Sequence, residues 1–352
     1  MLGTRVYTSI MSDTERIETA HLLNYINKIV TAQMDGKVTD IKRFSAGYSG
    51  IVFSLDVTKN EQVKKVVLKL NDEYRGRDRI EDETFHDRIY AANYRSFEKV
   101  YELVRNRGIL TYDLLASARP TAEIPFFYHL MSLLEGESIR EYLTNPKAVD
   151  VDSMYGVAGR EFAQLHTITR NFDGWAGQER PYTQDWRSAF LQSLQSKWED
   201  VDELPNQFVS EISPAAKEYM KKVGDRLDTP DQFVLSHIDG LQAVAEHVGN
   251  EWQFRGHIDL EDYAFTDQRF VLAGFELAVA FDHDLVVPQT FWDGYNSVRG
   301  VDPSYDEFKD LFKLYYLLSW FPMVYEKNWR GNPEDRDRVI GTFEKLLGNI
   351  LI

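Results

Sequence analysis

Two short apolar runs that end in aspartate carry the residues of this chain best suited to chemistry. Residues 234–240 read Val-Leu-Ser-His-Ile-Asp-Gly, and residues 256–262 read Gly-His-Ile-Asp-Leu-Glu-Asp. Phosphoryl transfer to a hydroxyl needs one carboxylate to receive the hydroxyl proton and another to hold the magnesium that bridges the phosphates. Asp239 and Asp259 are therefore candidates for a metal-assisted transfer site, although aspartate is also a common turn residue at strand ends.

A glycine-bearing turn in the first part of the chain is a candidate phosphate loop. Residues 41–44 and 51–57 have the composition of two strands, joined by Ser-Ala-Gly-Tyr-Ser-Gly at 45–50. Glycine lets backbone N–H groups approach phosphate oxygens, and Ser45 and Ser49 could donate as well. Most hairpin turns of this kind bind no ligand, so the turn alone is weak evidence for phosphate binding.

A lysine in an apolar strand is the next candidate. Residues 63–70 predict a third strand, in which Lys69 stands between two leucines, where a charge is costly unless it is paired. The helix predicted for residues 82–107 carries Glu98, which could reach Lys69, with Glu102 as a rival. A solvated strand face is the alternative explanation for Lys69.

Composition limits the class of protein and its partners. The chain has 352 residues, which suits two lobes better than one core, and 43% of them are hydrophobic, which favours a packed interior. A net charge of −16 repels nucleic acid and anionic membranes, and favours small cationic partners. There is no cysteine and no apolar run that could span a membrane. We expect a soluble cytoplasmic protein, monomeric or homodimeric.

The two halves of the chain differ in their predicted secondary structure. A helix at 13–34 and strands up to residue 133 predict a small mostly-β first lobe. Beyond residue 133 only the 234–259 region reads as strand, and the rest predicts helices. The fold class is therefore α+β, with lobes of residues 1–132 and 133–352. The predicted strands and helices not yet named are 110–116, 126–133, 151–169, 186–198, 213–227 and 306–325.

In order and spacing, these features resemble the aminoglycoside phosphotransferase and choline-kinase-like branch of the protein-kinase-like fold. The resemblance covers about residues 41–325 and implies a bilobal molecule with a nucleotide-binding first lobe and a helical catalytic second lobe. Its motifs are the glycine-bearing loop, the strand lysine, the helix glutamate, Met131–Gly136, Leu165-His166, His237-Ile238-Asp239 and Ile258-Asp259.

The resemblance implies a role for each matching residue. Asp239 resembles the aspartate that accepts the hydroxyl proton, and Asp259 the magnesium-binding aspartate. Lys69 resembles the lysine on the α- and β-phosphates, paired with Glu98. The residues that would hold ATP or GTP also include the loop residues Ser45, Gly47, Ser49 and Gly50, and the main chain of Met131, Ser132 and Leu133 at the adenine edge.

The chain departs from the family at one metal position. The family usually has an asparagine about five residues after the catalytic aspartate, where this chain has Val244. If the loop contains a two-residue insertion, Glu246 fills the role, and Gln242 is another candidate. If neither reaches the magnesium, a degenerate kinase-like protein that binds nucleotide or a partner becomes credible.

The resemblance implies an ATP-dependent kinase acting on an aminoglycoside-like antibiotic or a similar polyhydroxylated or cationic acceptor, which is an antibiotic-resistance activity in this family. Choline, homoserine and other metabolites stay open as acceptors. A metal-dependent hydrolase would use the same carboxylates, but the chain lacks the histidine cluster usual at such sites. In the second lobe, negative charge and an aromatic face for the acceptor would come from Asp262, Glu276, Asp282 and Trp292.

Overall fold

The chain folds into two compact units, which are described in turn. The computed structural model describes residues 13–44, 51–71, 85, 88, 94–143, 150–204, 207–238, 240–283, 286–327 and 333–351. The first unit comprises Met1–Arg75 and Tyr112–Leu134, and the second comprises Gly76–Thr111 and Glu135–Ile352. The first holds an antiparallel sheet and the second is mostly helical, which confirms the predicted α+β class. No helix in the described ranges has the length and apolar character needed to cross a membrane.

The first unit is a five-stranded antiparallel sheet covered on one face by a helix. The strand order is β1-β2-β3-β5-β4. Alternate residues of the strands, such as Val66, Leu68 and Leu70, pack against Ile26 and Ile29 of the helix. Because side chains alternate along a strand, Lys69 lies on the opposite face. The elements are α1 (Asp13–Met34), β1 (Lys37–Arg43), β2 (Ile51–Lys59), β3 (Gln62–Asn71), β4 (Leu114–Ala118) and β5 (Phe127–Ser132).

The fourth strand begins later than the sequence predicts. The strand predicted from residue 110 starts at Leu114. Residues 110 and 111 belong to the second unit, where the Leu110 carbonyl accepts from His257 N–H at 2.9 Å. The Thr111 hydroxyl donates to the His257 carbonyl at 2.8 Å. These hydrogen bonds hold the segment in an arrangement that local apolar pattern cannot reveal.

The second unit combines helices with two small sheets. The sheets have the orders β11-β10-β6 and β7-β9-β12-β8. Its helices are α2 (Tyr94–Asn106), α3 (Ile139–Leu143), α4 (Val151–Leu165), α5 (Trp186–Asp202), α6 (Gln207–Gly224), α7 (Gln268–His283), α8 (Gln289–Asn296), α9 (Tyr305–Lys327) and α10 (Pro333–Leu351). Its strands are β6 (Glu137–Ser138), β7 (Thr169–Arg170), β8 (Gly174–Trp175), β9 (Phe233–His237), β10 (Ala243–Val248), β11 (Glu251–His257) and β12 (Tyr263–Thr266).

The prediction that only residues 234–259 form strand in this half is wrong. Strand β12 lies beyond them and pairs with β9 from Tyr263↔His237 to Thr266↔Val234. All four residues of β12 are buried, so no alternation of polar and apolar residues marks it. The predicted end of the helix before Gly108 is confirmed, with φ +70° at Gly108. The N–H groups of Gly108 and Ile109 donate to the Arg105 and Val104 carbonyls, as in a Schellman motif.

The core of the second unit is aromatic. The Phe85 ring makes edge contacts with Trp186, Phe190, Phe270 and Tyr315 at centroid distances of 5.3 to 5.9 Å. Aromatic pairs in this geometry stabilise beyond the area that they bury. Phe85 is thus anchored among α5, α7 and α9.

A close crossing of α4 and α8 depends on glycine. A Cβ atom added to Gly159 would overlap the backbone carbonyl oxygen of Phe291, and one added to Gly294 would overlap that of Gly156. The two helices therefore approach to backbone contact. Only residues without a side chain fit at this crossing.

We expect Gly159→Ala to destabilise the protein by about 1 to 3 kcal/mol, since a methyl group against a helix backbone forces the helices apart. Urea unfolding measures the effect. Gly348→Ala is the control, because no atom lies within 4 Å of the added methyl group in α10. It should leave stability unchanged or raise it by up to about 1 kcal/mol. Equal stability of the two variants would show that α4 and α8 do not pack this closely.

Candidate active site

Lys69 occupies a buried position in the middle strand of the first unit. Only 4% of the residue is exposed, and its register partners are Val52 on β2 and His129 on β5. His129 is itself fully buried, and burial, together with the Lys69 charge, lowers its pKa to about 3. The neighbouring imidazole is therefore neutral at pH 7. The contact of Lys69 with phosphate stays a prediction.

The predicted adenine-edge segment follows at the end of β5. Met131 is buried, whereas Ser132 and Leu133 are half-buried. The Ser132 N–H donates to the Asp113 carbonyl at 2.9 Å, and its hydroxyl accepts from Asp113 N–H at 2.8 Å. The Leu133 N–H donates to the Lys65 carbonyl at 3.4 Å. Because both N–H groups are engaged, a purine edge would be met by the carbonyls of this segment or by the N–H of residue 134.

Five predicted site residues lie outside the described part of the chain. They are Asp239 and the loop residues Ser45, Gly47, Ser49 and Gly50, whose roles stay predictions. The residues on either side of Asp239 are described. Strand β9 brings the chain to the buried His237, and Gly240 follows with φ +91° and an N–H that donates to the His237 carbonyl at 3.3 Å.

Asp259 stands two residues after β11 and opens a short turn. Its backbone is left-handed, with φ 54° and ψ 44°, a conformation that aspartate tolerates better than most residues. A 3-10 turn over Leu260–Asp262 follows, and the Asp262 N–H donates to the Asp259 carbonyl at 3.3 Å. Asp259 is half-buried, its backbone is held in this turn, and its role as a metal ligand stays a prediction.

The two candidates for the second metal ligand lie at different distances from Asp259 along the β10–β11 ladder. Ile258 N–H donates to the Gln242 carbonyl at 3.0 Å, so Gln242 lies beside the residue preceding Asp259. Glu246 is four residues farther along β10, a displacement of roughly 13 Å at strand spacing. Its carboxylate accepts from Arg255 Nε at 2.9 Å. Gln242 therefore lies nearer to Asp259 than Glu246 does, and the metal roles of both stay predictions.

The predicted acceptor residues divide into those with described side chains and one without. Glu276 forms an ion pair with Lys313 of α9, and both side chains are largely buried. The Trp292 ring contacts the Tyr305 ring at 5.7 Å, and burial, with the nearby Glu276 carboxylate, raises the pKa of Tyr305. Glu276 and Trp292 therefore both neighbour Tyr305. Asp262 is half-buried after Asp259, and the Asp282 side chain lies outside the described part.

The helix that carries Glu98 packs on the turn that follows Asp259. Phe97, Val100 and Val104 form the buried face of α2, and this helix contacts residues 260–262. The Glu98 side chain is exposed. Its pairing with Lys69, a residue of the first unit, stays a prediction.

A buried ion-pair network, which the sequence did not reveal, connects the chain segments next to β9 and β12. The Arg269 guanidinium, 1% exposed, donates to both oxygens of the equally buried Asp267 carboxylate, at 3.1 and 2.7 Å. It also donates to Asp228 at 2.6 Å and to the Ser304 hydroxyl at 2.7 Å. Asp228 precedes β9, Asp267 follows β12 and Ser304 precedes α9. Only the proximity of Asp267 and Arg269 in sequence could have suggested part of this network.

A second buried ion pair was also missed. Arg88 is fully buried, donates to Asp173 at 3.1 Å and to the Gln184 carbonyl at 3.0 Å, and stacks over the Tyr182 ring at 4.2 Å. Its partners are separated from it by 85 residues or more, so no local pattern predicts them.

The chain matches known proteins in family and in fold. The model of the phosphotransferase enzyme family matches residues 40–270. No curated protein sequence matches. Among solved structures, a Ralstonia eutropha protein proposed to be an aminoglycoside phosphotransferase is 11% identical, with a TM-score of 0.62 over 93% of this chain and 97% of that chain.

Two further solved structures resemble the chain. A thermostable mutant of aminoglycoside phosphotransferase APH(4)-Ia, in ternary complex with AMP-PNP and hygromycin B, is 14% identical, with a TM-score of 0.59 over 92% of this chain and 97% of that chain. Spectinomycin phosphotransferase APH(9)-Ia, in complex with ADP and spectinomycin, is 12% identical, with a TM-score of 0.55 over 93% and 97%. At these identities the likeness concerns the fold, and it confirms the predicted kinase-like architecture.

The buried histidines predict acid sensitivity. His129 stays neutral in the folded protein to about pH 3, whereas an unfolded histidine has a pKa of about 6.5. The unfolded chain therefore binds the extra proton, and stability falls as the pH drops below about 6.5, by about 2 kcal/mol at pH 5 for this residue. Urea unfolding at pH 7 and pH 5 measures this. His129→Gln should flatten the dependence, whereas the exposed His247→Gln should not. An unchanged slope in His129→Gln would contradict the assignment.

Proposed function

Since the chain belongs to the phosphotransferase enzyme family, we propose that it transfers the γ-phosphate of ATP to a hydroxyl of an aminoglycoside-like antibiotic or a similar polyhydroxylated, cationic acceptor. The protein is a phosphotransferase with an alcohol group as acceptor. The family match carries the proposal, because it covers residues 40–270 and so includes Lys69, Asp239 and Asp259. Nucleotide and antibiotic complexes among the similar structures support the choice of substrates.

In the proposed reaction the acceptor oxygen forms a bond to the γ-phosphorus while the bond from that phosphorus to the bridging oxygen of ADP breaks. Asp239 positions the hydroxyl and receives its proton. The Lys69 ammonium binds phosphate oxygens and stabilises their charge, which its burial beside a neutral His129 favours. The residues thus divide the work between proton transfer and charge stabilisation.

Asp259 and Gln242 suit magnesium. Magnesium prefers oxygen ligands, and these residues offer a carboxylate and an amide carbonyl on neighbouring segments. When bound, the ion would neutralise phosphate charge. Glu246 is the less suitable second ligand, because its carboxylate is paired with Arg255.

The net charge supports a cationic acceptor. At −16 the protein attracts cations over distances of about one Debye length, roughly 8 Å in physiological salt. We propose that Asp262, Asp282, Glu276 and the Trp292 ring contribute to acceptor binding. Glu276 is paired with Lys313, so an acceptor amine would have to share or displace that lysine.

The alternative is a kinase-like protein that binds nucleotide without efficient transfer. It is motivated by Val244, which cannot bind a metal at the position where the family resemblance calls for asparagine. The presence of Lys69, Asp239 and Asp259 argues against it.

Turnover separates the two functions. The purified protein should convert ATP or GTP to the diphosphate, with Mg²⁺, when a member of a panel of aminoglycosides, spectinomycin and amino alcohols is added. A coupled assay follows ADP or GDP, and mass spectrometry finds the acceptor heavier by one phosphate. If the acceptor is an antibiotic, expression in a susceptible bacterium raises the inhibitory concentration. Nucleotide binding without turnover on any acceptor would establish the alternative.

Substitution of Asp259 tests the metal assignment. Asp259→Asn should lower kcat/KM by roughly 100-fold or more, because loss of even a supporting contact at a metal site costs about 10- to 100-fold. Stability should be kept, since asparagine tolerates the left-handed backbone. Asp259→Ala should be equally inactive and also less stable, by about 1 to 2 kcal/mol. Activity of Asp259→Asn near that of the parent would contradict the role.

A further inference from the structure

Tyr263 is a buried polar residue with no part in the proposed reaction. It is 1% exposed, and within the described ranges its hydroxyl has no hydrogen-bond partner. Burying a hydroxyl without a partner is unfavourable, and most buried polar groups in folded proteins are bonded. The position therefore needs an explanation.

Tyr263 neighbours the chain segments that carry the two candidate aspartates, Asp239 and Asp259. It directly follows the turn that Asp259 opens, and it is the register partner of His237, whose ring it meets edge-on at 5.3 Å. Burial raises the pKa of Tyr263 well above its usual range, and the Asp259 and Glu261 carboxylates raise it further. The hydroxyl therefore stays protonated, and Tyr263 lies one short turn after Asp259 along the chain.

Tyr295 shows how a buried tyrosine of this unit is held when its role is structural. Its hydroxyl lies 2.6 Å from His166 Nδ1 and accepts from Gln268 Nε2 at 2.7 Å. Both tyrosines are almost fully buried. They differ in that the Tyr295 hydroxyl is hydrogen-bonded, whereas the Tyr263 hydroxyl has no partner among the residues that the structure describes.

We propose that Tyr263 is a positioning residue for the metal site, whose hydroxyl donates a hydrogen bond to the Asp259 carboxylate when that carboxylate holds a divalent cation. This inference rests on the proposed function. A carboxylate that binds a metal through one oxygen still has lone pairs to satisfy, and a donor there fixes its orientation. A neutral hydroxyl serves this purpose without adding a second cation.

Paired Tyr→Phe variants test the proposal. Mn²⁺ with AMP-PNP is the probe, followed by electron paramagnetic resonance and calorimetry, and urea unfolding without metal gives stability. Tyr263→Phe should keep the unfolding midpoint, because no hydrogen bond is lost, but should bind Mn²⁺ about 10- to 100-fold more weakly. Tyr295→Phe should lower the midpoint and leave Mn²⁺ affinity unchanged.

The outcomes separate this inference from the proposed function. If the parent and Tyr263→Phe bind Mn²⁺ equally, the role of Tyr263 is overturned and the metal site stands. If the parent binds no Mn²⁺ with AMP-PNP, the metal assignment itself fails and the role of Tyr263 fails with it. A midpoint loss in Tyr263→Phe as large as that in Tyr295→Phe would also overturn it, because the hydroxyl would then be part of the fold.

Discussion

The pairing of β9 with β12 is the constraint on which the candidate catalytic segments of the second unit depend. Strand β9 leads to the residue before Asp239, and β12 begins where the turn opened by Asp259 ends. The register Tyr263↔His237 fixes these two chain positions relative to each other. Arg269 stabilises the same pair from its far end, since it binds Asp228 before β9 and Asp267 after β12. Truncating a buried partner of this kind would leave an uncompensated charge, at a cost of about 3 to 5 kcal/mol.

In the first unit, the alternation of side chains along β3 determines the position of Lys69. Val66, Leu68 and Leu70 pack under α1, so the residues between them must face the other side of the sheet. That places the Lys69 ammonium away from the apolar core while burying most of the residue. A buried ammonium is unfavourable unless it meets an anion or hydrogen-bond acceptors, and the neutral His129 beside it adds no competing positive charge. The same alternation that builds the core therefore places Lys69 on the face opposite to it, where we propose that it binds phosphate.

Much of this could be predicted from the sequence, because the information is local. The helix at 13–34, the β2 and β3 strands around Lys69 and the glycine at the end of α2 all follow from periodicity and backbone preference. What the sequence could not reveal is non-local. The Arg88–Asp173 pair joins residues 85 apart, and β12 has no alternation because it is buried on both sides.

The candidates for the predicted second metal ligand, Gln242 and Glu246, also could not be ranked by local sequence pattern. Counting residues backward from Asp259 by the family spacing leads to Glu246. The β10–β11 ladder contains a register shift between Val244 and Ala245, and along this ladder Gln242 lies next to Ile258. Residue counts across a bulged hairpin do not measure distance, whereas cross-strand hydrogen bonds do. The spatial neighbours of Asp259 therefore follow from the pairing of β10 with β11 and not from residue counts.

Two departures from ordinary folding rules lie close together in the turn after β11. Asp259 adopts a left-handed backbone, which is unfavourable for a non-glycine residue. Four residues later, Tyr263 buries a hydroxyl that has no hydrogen-bond partner in the described part of the chain. Arg269 and Tyr295, which lie in the same unit and are equally buried, have their hydrogen bonds satisfied by the fold. Both departures lie at the residues that we propose hold and position the metal, and the proposed hydrogen bond to the Asp259 carboxylate would give the Tyr263 hydroxyl a partner.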